Sequence, residues 1–501
     1  MKAIALATTA LTVLAGAAFA QDVPQENNSW YVDGQATIQD RLARQPNTNR
    51  AKNVILFVAD GNGVGTNYAL RVFAGQEEGK LGEEHVLPYE TFPNLALVKT
   101  YNVNAQTPDS APTAGSMNTG VKQVFNTINL DPDGAIHDEC ASEAGNELKT
   151  FAEMVSDEGK SVGIISTARL THATPAAVYA KTANRNWEGA VPEGCDNSRD
   201  IAAQLFDQMT AGVVDIALGG GRRYFAPTGV NTEEGGEGRR EDGRNLIAEL
   251  QEAGGEYAWN METFNALSLD GETPVLALFE DSHMKYEADR PKDEEPSLAE
   301  MTRAAIEYLS QNEDGYYLEI ESGRVDHANH DGNAYRAMTD GVAWAEAIAL
   351  ADELTNEDDT LIIVTADHEH AIAFNGYCGR GTPILGLCHE VAKGQVKHSD
   401  ELALADDGKP YTVIGYLNGP GAVLKEQADG SFSGERAELT QEDVTDMEYL
   451  QEALIPMSSE SHSGEDVAVY AKGPFAHLFD GTVEQNYIFH VMKHAAMDAA
   501  N

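Results

Sequence analysis

The sequence predicts an α/β fold built on a mostly parallel sheet, and three observations point to it. Short, continuous apolar and β-branched runs recur along the chain, as in strands buried on both faces. Helical stretches alternate with those runs. Several of the runs end in carboxylates and imidazoles, the arrangement expected where a parallel sheet presents its carboxyl edge to a ligand. The 501 residues are 42% hydrophobic, enough for a large core. At about 150 residues per domain the length suits two or three domains, or one large domain with insertions.

Residues 1–20 open with one base, Lys2, continue through an apolar run over 3–18, and close on Ala18-Phe19-Ala20. This is the pattern of a secretory signal peptide, and it predicts an exported protein, periplasmic or secreted, cleaved near Ala20. No other stretch approaches ~20 uninterrupted apolar residues. The C-terminus lacks the hydrophobic tail of a lipid-anchor signal, so no membrane anchor is expected. Residues 21–50 read as an N-terminal arm.

Seven runs read as strands: 53–59, 162–165, 214–218, 275–279, 316–320, 360–365 and 467–470. Helical patterns fall at 148–158, 199–208, 298–310 and 333–352. Two stretches interrupt the alternation. Residues 222–300 are Gly/Glu-rich, with Glu233-Glu234-Gly235-Gly236-Glu237-Gly238 near the start, and the first part is expected to be a mobile surface insertion. Residues 370–458 are glycine-rich with weak periodicity and lie between two groups of possible ligands, so they read as a subdomain over the site. No repeat is found.

There are 34 Lys and Arg against 81 Asp and Glu, a formal net charge of −47 spread along the chain. Such a surface repels phosphate backbones and anionic headgroups, which excludes nucleic-acid and membrane-surface binding. It reads as an acidic coat that keeps the protein soluble in concentrated salt. An anionic substrate would need bound metal ions to reverse the local field. The four cysteines, Cys140, Cys195, Cys378 and Cys388, allow three pairings. Cys140–Cys195 and Cys378–Cys388 are favoured in an oxidising compartment because each closes a local loop rich in turn residues. No C-x-x-C spacing supports a zinc cluster.

The first strand runs into Asp60-Gly61-Asn62-Gly63. The strand at 316–320 runs into Glu321, followed by Asp326-His327-Ala328-Asn329-His330, and that at 360–365 runs into Asp367-His368-Glu369-His370. Singly, each is an ordinary helix cap or structural imidazole. Converging from three strands, they predict a multi-metal site. Mixed His and carboxylate ligands suit zinc or another borderline divalent metal, and a carboxylate-and-hydroxyl subset suits magnesium. Ser110, followed by Pro112 in a first helical turn, would hold its Oγ at a helix N-terminus, a position that favours an alkoxide and an incoming anion. No G-x-S-x-G elbow supports a Ser-His-Asp hydrolase.

Together, residues 53–65, 100–118, 162–185, 218–224, 319–333, 365–370 and 459–473 resemble alkaline phosphatase. The resemblance implies a three-layer sandwich: a large, mostly parallel central sheet, helices on both faces, and an inserted crown-like subdomain at 370–458 within a core of 51–369 and 459–495. It implies hydrolysis of small phosphate monoesters to alcohol and inorganic phosphate, through a phosphoseryl intermediate on Ser110, with two Zn2+ and one Mg2+. Asp326, His330 and His462 would hold one zinc. Asp60, Asp367 and His368 would hold the other, which also contacts Ser110. Asp60, Thr174 and Glu321 would hold magnesium, and Arg185 would grip two phosphate oxygens. His172 and His327 stand where the best-studied enteric bacterial enzyme has Asp and Lys; they resemble the animal-type pair that acts near magnesium and phosphate, largely through water. His370 is expected to support the ligands rather than bind metal, and Asn62 stands where the family usually has Met. Family members are commonly homodimers, so a homodimer is expected.

Two other readings remain open. A phosphodiesterase, or another metal-dependent hydrolase of the same superfamily, would use the same metals, although diesterases usually lack an arginine placed like Arg185. The sulfatase branch would need an arginine that the segment after Ser110, Ala-Pro-Thr-Ala-Gly, does not supply. A secreted, acidic cation-binding protein needs only the carboxylates and predicts weak sites and no turnover.

Overall fold

The computed structural model describes residues 23–499. The predicted signal peptide, residues 1–20, lies outside the described residues. The described residues up to Pro46 form one compact unit and those from Asn47 another. In the first, a helix over Ser29–Ala43 begins at Asn28, whose side chain accepts a hydrogen bond from the Trp30 N–H. This is an N-cap that satisfies one of the helix's free donors.

The second unit is organised on ten strands: β1 (Asn53–Ala59), β2 (Asn94–Lys99), β3 (Ser161–Arg169), β4 (Ile216–Gly220), β5 (Glu256–Ala258), β6 (Val275–Leu278), β7 (Tyr316–Ser322), β8 (Thr360–Ala366), β9 (Val467–Lys472) and β10 (Thr482–Glu484). They form a single sheet in the order β10-β2-β9-β8-β1-β7-β3-β4-β6-β5. Neighbours are parallel except β9, which runs antiparallel to both β2 and β8.

The apolar runs are continuous because both faces of the sheet are covered. In β1, Val54, Leu56 and Val58 join a core with Phe151, Val178 and Phe489. The alternate residues Ile55, Phe57 and Ala59 join a second core with Leu70, Leu309 and Trp344 on the opposite face. Period-two alternation therefore delivers one strand to two cores, and the helices that carry most of those partners complete the three layers.

All seven predicted strands are present. Three strands the sequence did not mark are β2, β5 and β10. In β2 only Ala96 and Val98 are buried, so it alternates rather than running apolar. β5 and β10 are three-residue strands at the two edges. The Gly/Glu-rich start of 222–300 is tied to the sheet by the buried Arg222, which donates to the carbonyls of Leu278 and Glu233 and pairs with Glu234. Within 370–458, Ile372–Phe374 pairs antiparallel with Ile414–Gly419, which pairs parallel with Ala453–Pro456. Both favoured disulfides, Cys140–Cys195 and Cys378–Cys388, are formed. Among the described residues no helix is long and apolar enough to cross a membrane.

Candidate active site and metal centre

Strands β8, β1 and β7 are adjacent and end level with one another, Ala59 pairing with Ala366 on one side and Ser322 on the other. Their carboxyl ends therefore bring Asp60, Glu321 and Asp367 to one point, all fully buried. The chain leaves β1 through Gly61 at φ +70°, where a Cβ would lie 2.3 Å from His370 Nε2. Only glycine fits that turn. Beside it, Asn62 donates to Asn67 Oδ1, which also accepts from Tyr89 OH.

Ser110 opens a helix over Ser110–Thr119 in which every residue is buried. Its Oγ lies 3.2 Å from His368 Nε2 and 3.5 Å from Asp60 Oδ1. His368 Nε2 is in turn 3.3 Å from Asp60 Oδ1 and 3.1 Å from Asp367 Oδ2. A second group lies alongside: Asp326 Oδ1 is 3.3 Å from His330 Nε2 and 3.4 Å from His462 Nε2, and those two nitrogens are 3.1 Å apart. Donor atoms about 2.0–2.1 Å from a tetrahedral zinc lie about 3.3 Å from one another, and both groups match that spacing.

Proton positions support the same fit. The Nδ1–H groups of His330, His368 and His462 donate to the backbone carbonyls of Glu460, Glu369 and Pro108. In the neutral ring this leaves each Nε2 as a lone pair aimed into its cluster. Lone pairs thus face lone pairs and carboxylates with no hydrogen between them. Asp60 Oδ2, Asp367 Oδ2 and Glu321 Oε1 are buried without a hydrogen-bond partner. Among the described residues four groupings, Asp60/Asp367/His368, Asp60/His172/Glu321, Asp326/His368/His370/His462 and His330/His370/Glu460, have the spacing to hold an ion.

The electrostatics divide the site in two. Burial and the neighbouring Asp326, Asp367 and Glu321 push the Asp60 carboxyl well up. Burial likewise raises Asp367, and it raises Glu321 to about 8 against the pull of the Ser166 and Thr174 hydroxyls. At Asp326 burial acts the same way but is outweighed by His330, His370 and His462, which hold it well below the usual carboxylate range.

Thr174, in the short helix Ala173–Ala176, is fully buried against Glu321. Arg185 forms an ion pair through Nη1 with Asp109 Oδ1, and its Nη2 donates to His172 Nε2 at 3.0 Å. Burial and that guanidinium press the His172 pKa well down. The His327 ring centre is 5.4 Å from that of His172, and burial lowers its pKa to about 3. Every residue singled out from the sequence is therefore brought to the same sheet edge.

Four contributors were not anticipated. Asp109, the residue before Ser110, orients Arg185. Arg169 makes two hydrogen bonds to Glu188, which also accepts from Thr171 Oγ1, and so fixes the turn leading to His172. His283 accepts from Arg169, with its ring centre 4.0 Å from that of His327. Glu460 lies behind His370. Asp109 carried a signal, its adjacency to the serine, and Arg169 closes β3; His283 and Glu460 stand in irregular segments.

The model of the family described as alkaline phosphatase matches residues 51–497. A tissue-nonspecific alkaline phosphatase of Gallus gallus is 40% identical over 519 residues, covering 100% of this chain and 95% of that protein. An alkaline phosphatase of Gadus morhua is 40% identical over 504 residues, covering 97% and 100%. Among solved structures, the Thermus thermophilus alkaline phosphatase aligns with a TM-score of 0.62 at 22% identity, over 91% of this chain and 93% of that one. The enzyme from the Antarctic bacterium TAB5 aligns with a TM-score of 0.59 at 21% identity, over 91% and 100%. Likeness at that identity speaks for the fold.

Proposed function

The chain belongs to the alkaline phosphatase family, and from that membership we propose how its residues divide the work of hydrolysing phosphate monoesters. Ser110 is the nucleophile. Asp326, His330 and His462 hold one zinc; Asp60, Asp367 and His368 hold a second; Asp60, Thr174 and Glu321 hold magnesium. The observation that carries this reading is the set of buried, unpartnered oxygens and converging Nε2 lone pairs around Ser110 Oγ. When bound, the metals supply positive potential that stabilises the entering and leaving oxygens of an in-line displacement.

The chain's own groups do the rest. The start of the Ser110–Thr119 helix favours negative charge on Ser110 Oγ. That oxygen bonds to phosphorus as the bond to the ester oxygen breaks, releasing the alcohol and leaving a phosphoryl group on Ser110. Water then attacks the same phosphorus, the Ser110 bond breaks, and inorganic phosphate departs. Arg185 presents a planar fork to two phosphate oxygens, and Asp109 keeps that fork from swinging away. His172 accepts from Arg185 at Nε2, so its proton sits on Nδ1. With His327 it borders the magnesium side and tunes release of phosphate.

Several wider features belong to the same reading. Residues 1–20 direct export, in keeping with two disulfides. Residues 370–458 form the crown-like subdomain over the core of 51–369 and 459–495, residues 21–50 form the arm, and the enzyme works as a homodimer. The acidic coat makes it tolerant of high salt.

The test compares turnover of a chromogenic phosphate monoester, the matching diester and the matching sulfate at alkaline pH, with zinc, magnesium and salt present. Strong monoester preference is expected. Diester or sulfate preference would overturn the role given to Arg185, and no turnover in folded, metal-loaded protein would overturn the enzyme reading.

A further inference from the structure

His370 is fully buried, and both of its ring nitrogens face carboxylates: Nε2 lies 2.9 Å from Asp326 Oδ1, and Nδ1 lies 2.5 Å from Glu460 Oε2. Glu460 is itself buried, and its ion-pair partners are imidazoles rather than Lys or Arg. A carboxylate at that depth is costly unless it is fully engaged. Its other oxygen accepts from the Ala371 N–H at 2.6 Å. Its backbone carbonyl takes the His330 Nδ1–H, and its N–H donates to the His330 carbonyl at 2.8 Å. Two residues on, His462 pairs with His370 in a short antiparallel ladder.

One residue thus stands behind all three members of the Asp326/His330/His462 group. It touches His330 through the main chain, reaches Asp326 through His370, and is joined to His462 by the chain. Ligands are held in place by such outer hydrogen bonds, and losing one typically costs about 10- to 100-fold in metal affinity.

We propose that Glu460 is a positioning residue for the Asp326/His330/His462 zinc site, acting through His370 to fix the Asp326 carboxylate against the metal. The inference rests on the metal assignment above. A solely architectural Glu460 would make the same contacts but would weaken folding, not one metal site.

The experiment measures zinc affinity by chelator competition on the full-length, folded protein, with zinc content counted per chain, for the parent, Glu460→Gln, His370→Gln and the double variant. Glu460→Gln keeps the size of the side chain and the oxygen for Ala371 N–H but removes the charge facing His370. One zinc is expected to weaken by about 10- to 100-fold, while the other zinc and the thermal midpoint of the chelated protein stay as in the parent. In the His370→Gln background the same change is expected to add less than about threefold, because the relay is already broken. Unchanged affinity at both sites would overturn the proposal, and so would an equal loss in both backgrounds. Should Glu460→Gln fail to fold, Glu460→Asp, which keeps the charge but withdraws it by one methylene, must show the selective zinc loss, and its absence would equally overturn the proposal. A parent that holds no tight zinc would instead refute the metal assignment itself.

Discussion

The two halves of the site solve the problem of buried carboxylates in opposite ways. Around Asp326, three imidazoles hold the carboxyl well below its ordinary pKa even though burial pushes it up. Around Asp60, burial and three other acids push the carboxyl well up, and Asp367 and Glu321 rise with it. The first half is nearly balanced by the protein's own groups. The second is a cluster of mutually repelling acids that must be neutralised from outside, by protons or by bound cations. Metal should therefore matter most where Ser110 sits, and the chain's own chemistry most where His462 sits.

The sharpest break of that contrast comes from paired substitutions. Asp60→Asn removes the carboxylate that the proposed assignment shares between the second zinc and magnesium, and turnover should fall on the order of 10²- to 10³-fold. In chelated protein the same change should raise the thermal midpoint, because it relieves repulsion. Asp326→Asn should lower that midpoint, because it takes away the carboxylate that accepts from His370 Nε2. Midpoints that move in the same direction would refute the contrast. Next in size, Arg185→Lys keeps the charge but loses the fork, and kcat/KM for a phosphate monoester should fall about 10- to 100-fold.

A third effect is on stability against pH. The raised acids hold protons in the folded chain at pH values where the unfolded chain has lost them, so folding is penalised progressively as pH rises. For Glu321 that window runs from 4.5, its ordinary value, to about 8. Chelated protein should lose thermal stability across this range, and protein with zinc and magnesium should lose less. Ligand linkage adds about 2.7 kcal/mol for each site at a hundredfold excess over Kd. Parallel curves with and without metal would contradict the cation-neutralised cluster. The smallest effect is general. With a net charge of −47, screening by salt should raise the thermal midpoint between dilute and molar NaCl. A flat or falling midpoint would refute salt tolerance.

The same division runs through what could be read from the sequence. The sheet centre was legible, because β1, β7 and β8 are buried on both faces and so are written mostly in apolar, aromatic and β-branched letters. The edges were not, since β2 alternates and β5 and β10 are too short for periodicity to mark. Asp60, Glu321 and Asp367 were legible because each follows directly from such a strand. Thr174, Arg185 and His462 lie on a one-turn helix, a turn and a short ladder with no pattern of their own, and they emerged only through family resemblance. Arg169, His283 and Glu460 escaped both routes. Each acts by gripping a neighbour from a distant segment, a relation that tertiary packing creates and local sequence does not encode.

The account's central claim is that Ser110 carries the phosphoryl group between the two displacements. The most direct measurement is to mix metal-loaded protein with excess phosphate monoester, quench in acid, and locate the phosphoryl group by mass spectrometry. The predicted result is modification at Ser110 in the parent, with modification absent and turnover lost in Ser110→Ala. A Ser110→Ala protein that retains most of its turnover, or a phosphoryl group on another residue, would contradict it.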